Sequence, residues 1–502
     1  MDNAIDINYI YDQMNKFHFF RSHRGIDRGL AAYIIKTCAQ KSLCHMKVFN
    51  KSKTGIYGAC RKLSRKRAPK NYFTEDMTQV KTAIVGINWG DEGKGRMVDL
   101  FSESYDVVVR YQGGNNAGHT VVNDKGKFIL NLLPSGILRD GTVNVMGNGM
   151  VIDLEHLCGE IGRLREGGID ITPDNLKISD RACICMPYSV MQDKLEEARL
   201  KDGKFGSTQR GIAPAYGDKY MKRSIRTGDL FHPEILKVRL EAILDWKNPV
   251  LESMYGADRV TSDSMLSWLE KYGEQIKPFI CDVGEYLDKA VADGRNVMFE
   301  AQLGALRDID FGIYPYTSSS STIAAYAPVG AGIPQHRLDK VIGIMKAYST
   351  CVGEGAFTAE LFGDVAERLR AEGGEYGAAT GRPRRVGGFD VVASRYGCRV
   401  QGADELALTK LDVLSYMEKI PVCEAYSIDG RRTMSFLTEG ELEKAKPVYT
   451  ELDGWCADIS ACRSFEQLPE NAKRYVDYIE NAVGCPIKYI SVGASRDAII
   501  IR

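Results

Sequence analysis

The feature that most constrains this chain is a short apolar strand running straight into a glycine-rich turn and then a helix. Residues 82–87, TAIVGI, form a compact apolar run, the pattern of a strand buried on both faces. GINWGDEGKG (86–95) follows, and GRMVDLFSES (95–104) reads as a helix. Glycines let backbone N–H groups converge on an anion, and a helix N-terminus adds partial positive charge at the same place. Lys94 supplies a cation for phosphate oxygens. The match to the ordinary phosphate loop is imperfect, because Gly95 stands where that loop carries the Ser or Thr that binds magnesium. An acid pair, Asp91 and Glu92, is built into the turn instead. A carboxylate beside polyphosphate is repelled unless a divalent cation lies between them or the carboxylate takes a proton. Either use is catalytic, whereas an isolated Gly-Asp-Glu turn would more often be a solvated loop.

A second buried strand, DVVVRYQGG (106–114), breaks into RYQGGNNAGHT (110–120). His119, one of seven histidines, lies there among glycines and amides able to hold a phosphate or a base edge. An imidazole in that setting serves as acid or hydrogen-bond donor. Further apolar runs, VNVMGNG, VMFEAQ, VIGIMKAYS, ELALTKLDVL and IKYISVG, are candidate strands, with amphipathic stretches at 190–200, 234–246 and 462–483 between some of them. Alternating strands and helices predict an α/β fold with a central, mostly parallel sheet covered by helices on both faces. Helical and small β insertions would complete one large domain over 77–502.

The first 76 residues differ in kind, being basic and irregular, with RKLSRKRAPKN near their end. A targeting arm, an accessory region and translated sequence upstream of a start at Met77 all fit. Asp2, Asp6, Asp12 and Asp27 weigh against a transit peptide. A dispensable or artefactual extension is the preferred expectation. The 66 basic and 66 acidic side chains cancel, which argues against nucleic acid or an anionic membrane as partner. No apolar run reaches the length of a membrane span. Thirteen scattered cysteines without a CxxC pair fit reduced thiols and a cytoplasmic location.

These strings, in this order, resemble the adenylosuccinate synthetase family over about residues 80–502. The resemblance implies a phosphate-loop NTPase-like fold and a homodimer that ligates L-aspartate to IMP with GTP. Asp91 would take the proton from the purine ring and bind one Mg2+ per subunit with the Gly118 carbonyl. The base oxygen would attack the γ-phosphate of GTP, and the aspartate amine would then displace phosphate from 6-phosphoryl-IMP. His119 would assist the bridging oxygen, and Lys94 would hold phosphates. GTP contacts would come from Gly90, Glu92, Gly93, Gly95, Thr120, Ser491 and Gly493. Lys410 and Asp412 of TKLD would read guanine, since a carboxylate accepts both its ring N–H and its amine. IMP contacts would be Asn116, Thr208, Gln302, Ser318, Val352 and Arg384, with Lys222 or Arg223 reaching the neighbouring subunit's IMP. The loop YGAATGRPRRVGG (376–388) would capture aspartate through Ala378, Thr380 and Arg382.

Several positions depart from the family pattern. Lys222 replaces an arginine, Cys351 another arginine, Ala379 a threonine and Ala494 a proline. Glu300-Ala301-Gln302-Leu303-Gly304 stands for Glu-Gly-Ala-Gln-Gly, so the glutamine comes one place early. On a strand that shift turns it to the other face; in a loop it is absorbed. Two rivals follow: a non-catalytic GTP-binding switch, which has no need of His119 or the arginine loop, and a sister ligase acting on a guanine nucleotide.

Overall fold

The computed structural model describes residues 80–502 apart from 117, 124, 125, 378–380 and 382. The segment 1–76, the proposed start at Met77 and the aspartate candidates Ala378, Thr380 and Arg382 therefore lie outside the described residues.

Ten strands form the central sheet. In chain order they are β1 (Lys81–Gly86), β2 (Val107–Arg110), β3 (Val143–Met146), β4 (Leu176–Ser179), β5 (Ile280–Cys281), β6 (Val297–Gly304), β7 (Lys340–Lys346), β8 (Glu405–Thr409), β9 (Ile487–Ser491) and β10 (Ile499–Ile501). Their spatial order is β10-β9-β8-β7-β1-β6-β2-β3-β4-β5. Every neighbouring pair is parallel except β9 and β10. Helices on both faces bury such a sheet completely, which is why β2 and β8 are buried along their whole length rather than on alternate residues. Each of the seven apolar runs picked out in the sequence supplies one sheet strand. The three strands without such a signal, β4, β5 and β10, have two to four residues.

β1 leads through the glycine turn into helix α1 (Lys94–Phe101), whose Met97 and Val98 pack against Ile84 and Val108 of the sheet. Between β3 and β5 the chain inserts helices α2 (Leu154–Glu166), α3 (Pro187–Leu200), α4 (Ile212–Tyr220), α5 (Pro233–Tyr255) and α6 (Ser262–Ile276). Leu157, Ile161, Leu240, Ile243 and Leu269 form a core shared by α2, α5 and α6, and Ile212, Ala215 and Tyr216 of α4 pack in a separate cluster with Val151 and Cys183. A four-stranded sheet built on Lys419–Ile428 is the small β insertion. The amphipathic stretch 462–483 makes a 3-10 turn at Phe465–Gln467 and becomes α-helical only from Glu470, because Pro469 precedes it in extended conformation.

The displaced glutamine has a structural answer. Ile84 pairs with Glu300, but Gly86 pairs with Gly304, so two steps on β1 match four on β6. Ala301, Gln302 and Leu303 thus form a bulge, with Leu303 in the left-handed region at φ 63°. The shift is absorbed locally, and β6 keeps its faces on either side. Because neighbouring strands run parallel, the C-terminal ends of β1, β2, β6, β7, β8 and β9 share one sheet edge. In open α/β sheets ligands bind at that edge, near the strand where the order reverses.

Candidate active site

The turn after β1 is built on left-handed backbone: Gly90 (φ 102°), Asp91 (φ 58°) and Gly93 (φ 96°). Gly93 begins α1 without any side-chain cap, which leaves the helix's first N–H groups available to an anion. The two acids part company here. Glu92 is buried and accepts from the backbone N–H of Asn88 (3.1 Å) and Gly90 (2.8 Å), while Lys94 Nζ lies 2.6 Å from its other oxygen. Expected as a GTP contact, its carboxylate is a brace inside the turn. Lys94, expected as a free phosphate cation, is equally buried in this pair. Asp91 points outward instead, 30% exposed, with Oδ2 3.1 Å from Arg384 Nη2.

His119 opens the strand His119–Asn123, followed by Thr120, and packs on Gly95 of α1. A β-carbon at position 95 would sit 2.7 Å from that of His119, so the glycine missing a hydroxyl is what lets the imidazole approach. His119 Nδ1 lies 2.6 Å from Glu300 Oε1. Glu300, fully buried on β6, also accepts from Ser135 N and Ser135 Oγ, each at 2.7 Å. Burial pushes its carboxyl up, but His119, the Arg110 guanidinium and the Ser135 N–H outweigh that and hold it below its ordinary value. An ionised Glu300 fixes the proton on Nδ1 and leaves Nε2 for a substrate. Sequence reasoning passed over Glu300; its signal was a carboxylate inside an otherwise apolar strand, VMFEAQ.

Gln302 is also fully buried and grips the loop before His119, donating to Gly114 O and accepting from Gly114 N, both at 3.1 Å. A β-carbon at Gly113 would lie 1.6 Å from its Oε1. Both ends of its amide are therefore engaged by the protein. Asn116 folds over Gly114 N at 3.3 Å, and Gly118 and His119 follow within the same segment.

On the β7–β8 side, Arg384 reaches both Asp91 and Glu375, the latter at 2.7 Å. Glu375 is buried and also receives Lys346 (2.9 Å), Lys410 (3.0 Å) and the Tyr348 hydroxyl (2.5 Å). Burial raises its carboxyl, and the three cations more than reverse that, keeping it well below the usual range. Burial lowers Lys346 to about 8 despite Glu375. Neither residue stood out in the sequence. Lys410 adopts the left-handed region (φ 59°) at the end of β8, and Asp412 begins the following turn, half-buried. Thr409 Oγ1 donates to Glu92 O at 2.7 Å, joining this corner to the phosphate turn. Arg96 of α1 bonds Ser491 Oγ, and Ser491 bonds Gly493 O at 3.2 Å, which ties in the β9 loop.

Thr208, Ser318 and Val352 lie on three loops beside the same edge, with Thr208 and Val352 exposed. Lys222, left-handed (φ 63°) and exposed, has no ion pair among the described residues. Arg223 instead stacks on Trp246 of α5 at 4.0 Å, which leaves Lys222 as the freer cation of the two. Tyr220, Met221, Ile235 and Val238 expose apolar surface on the helices around them.

The family model for adenylosuccinate synthetase matches residues 83–500. The adenylosuccinate synthetase of Caldanaerobacter subterraneus subsp. tengcongensis is 44% identical over 421 residues, covering 84% of this chain and 98% of that protein. The solved structure of fully ligated adenylosuccinate synthetase from Plasmodium falciparum aligns with a TM-score of 0.79 at 37% identity, over 84% of this chain and 99% of that one. A cyanophage S-2L succinoaminodeoxyadenylate synthetase bound to dGMP and dATP shares the fold alone, at TM-score 0.53 and 18% identity over 84% of this chain and 95% of its own. The match runs from β1 to β10 and takes in the phosphate turn, His119 and the TKLD corner: the chain belongs to the adenylosuccinate synthetase family.

Proposed function

We propose that this ligase joins L-aspartate to IMP, releasing GDP and phosphate from GTP, through a 6-phosphoryl-IMP intermediate. The supporting observation is the stack of Gly95, His119 and Glu300 beside the phosphate turn. A phosphoryl-transfer site needs a cradle for polyphosphate and a proton carrier beside it, and both meet here.

Asp91 is the proposed base. Purine O6 is a poor nucleophile until the ring nitrogen loses its proton, and the outward carboxylate is the group able to take it. Arg384 must yield that carboxylate when substrate arrives, and the phosphates of the ligands offer the guanidinium a new partner. His119, through Nε2, donates toward the oxygen that gains charge, while Glu300 holds the ring in orientation. Asp91 and the Gly118 carbonyl are hard oxygen donors suited to Mg2+, whose chemistry when bound is to offset phosphate charge. Asp412 accepts the guanine N–H pair, with the Lys410 stem over the ring face. The arginine loop 376–388 captures aspartate. The exposed apolar residues of α4 and α5, with Lys222 beside them, support a homodimer in which Lys222 reaches the neighbouring IMP. No helix among the described residues is long and apolar enough to cross a membrane; the scattered cysteines support a cytoplasmic location.

Because both ends of the Gln302 amide are engaged by Gly114 and the glutamine comes one place early in the sequence, base choice is the property to test directly. Purified protein is supplied with GTP, Mg2+ and aspartate together with IMP, GMP or dGMP, and the nucleotide products are separated. Succinylated product from IMP alone supports the proposal. Product from GMP or dGMP would assign the sister activity, and GTP binding without ligation would assign a switch.

A further inference from the structure

Arg307 lies just beyond the β6 bulge, in the turn Ala305–Arg307, and is only 8% exposed. Its guanidinium bonds Val352 O (2.5 Å), Glu354 O (3.2 Å), the Cys351 thiol (3.0 Å) and Tyr316 O. No ion pair with Arg307 occurs among the described residues. Its own carbonyl accepts from Ser318 N at 2.9 Å. One residue therefore binds both the loop that carries Ser318 and the loop that carries Val352. A third loop leans on the same junction. A β-carbon at Gly206 would lie 3.3 Å from Gly353 Cα and 3.4 Å from Glu354 N, and the Phe205 ring meets Tyr316 edge-on at 6.3 Å. Thr208 is two residues further along that segment.

We infer that Arg307 is a positioning residue of the IMP subsite, clamping the three loops that present Thr208, Ser318 and Val352 to the nucleotide. This rests on the proposed reading of the site as an IMP site. The planar guanidinium is suited to the task because its five N–H groups diverge in fixed directions and can satisfy several carbonyls at once. A lysine ammonium keeps the charge but is a single point at the end of a flexible stem. Cys351 belongs to the same arrangement, since its small side chain leaves room for the guanidinium to reach Val352 O. The loops differ in how they are held: Ser318 and Val352 are bonded to Arg307 directly, whereas the 205–208 segment packs on the other two and is anchored to α3 through Phe205 N on Glu197 (3.2 Å) and Ser207 Oγ on Asp193 (2.7 Å). Loss of the clamp therefore frees the loops of Ser318 and Val352 from each other and from the segment of Thr208, which α3 still holds, without touching Asp91, His119 or the TKLD corner.

The test is steady-state kinetics on the full chain, with KM measured separately for IMP, GTP and aspartate. Parent enzyme is assayed first, and adenylosuccinate formed from IMP establishes the underlying reading independently of the variant. Arg307→Lys should then raise the KM for IMP about tenfold or more, with kcat within about threefold and the KM for GTP within about twofold. The thermal stabilisation that IMP confers on the parent should shrink in parallel, while that conferred by GTP should not. A folded variant with unchanged KM for IMP, or with KM values raised equally for IMP and GTP, would overturn the inference. Should Arg307→Lys fail to fold, Phe205→Ala provides the second reading, because Phe205 is exposed and its loss disturbs no core. It should raise the KM for IMP about threefold and leave GTP unaffected; no change in either would equally sink the clamp.

Discussion

At the scale of single residues, the site depends on how buried carboxylates are partnered. Asp91→Asn and His119→Ala should each cut turnover by about two orders of magnitude or more, the scale of lost acid–base catalysis, while GTP binding measured by titration stays near the parent value. Glu300→Gln separates two roles. It keeps a hydrogen-bond acceptor for Nδ1 but removes the charge that steadies an imidazolium, so kcat should fall about tenfold or more on the scale of outer-shell effects. A kcat equal to the parent's would reduce Glu300 to a packing residue. Asp91, His119, Lys94 and the proposed guanine-side pair stood out in the sequence because each sits in or beside a loop with its own chemical signature. Glu300, Glu375, Lys346 and Arg307 did not, because their meaning comes from partners up to 181 positions away or on several loops at once. The cysteine at 351 looked silent in the sequence; the arginine that exploits its small size enters from a different strand end.

At the scale of elements, the phosphate turn and β6 explain each other. Glycine at 95 is needed for His119 to approach α1, so Gly95→Ala should lower kcat by at least about tenfold although alanine is the better helix former. The clash with His119 outweighs that gain in propensity, so thermal stability should fall together with activity, and full activity would show that His119 tolerates displacement. The buried parallel strands were easy to read because a run of four to six apolar residues has few other uses. Their short partners at the far edge were not, since two paired residues leave no periodicity. The glutamine shift lay between these cases. Sequence posed the choice between a flipped face and an absorbed slip, and only the register of β1 against β6 decides it.

For the whole molecule, the placement of the turns that follow β1, β2, β6, β7, β8 and β9 at one sheet edge follows from parallel topology, which the alternation of strand and helix patterns already implied. Acid stability is a property of this scale as well. Glu300 and Glu375 both titrate below their ordinary value of 4.5 in the folded chain. The unfolded chain therefore binds their protons first as pH drops. Their contribution is complete above about pH 4.5 and is lost as pH falls through the folded values. Urea midpoints should be level on this account from neutrality to about pH 5 and then decline, and Glu300→Gln should make the decline shallower. An unchanged slope in that variant would place the acid sensitivity elsewhere. Self-association belongs here too: sedimentation should show a dimer, and Lys222→Glu should raise the KM for IMP if that side chain crosses between subunits.

The hydroxyl of Thr409, bonded to the carbonyl of Glu92, fixes the gap between the guanine-reading corner and the polyphosphate cradle. On the proposed assignment the protein thus gauges the length of its energy donor as well as the edge of its base. A guanosine carrying a shorter or longer bridge between sugar and phosphates would be seated at one end only, whatever hydrogen bonds its ring could offer.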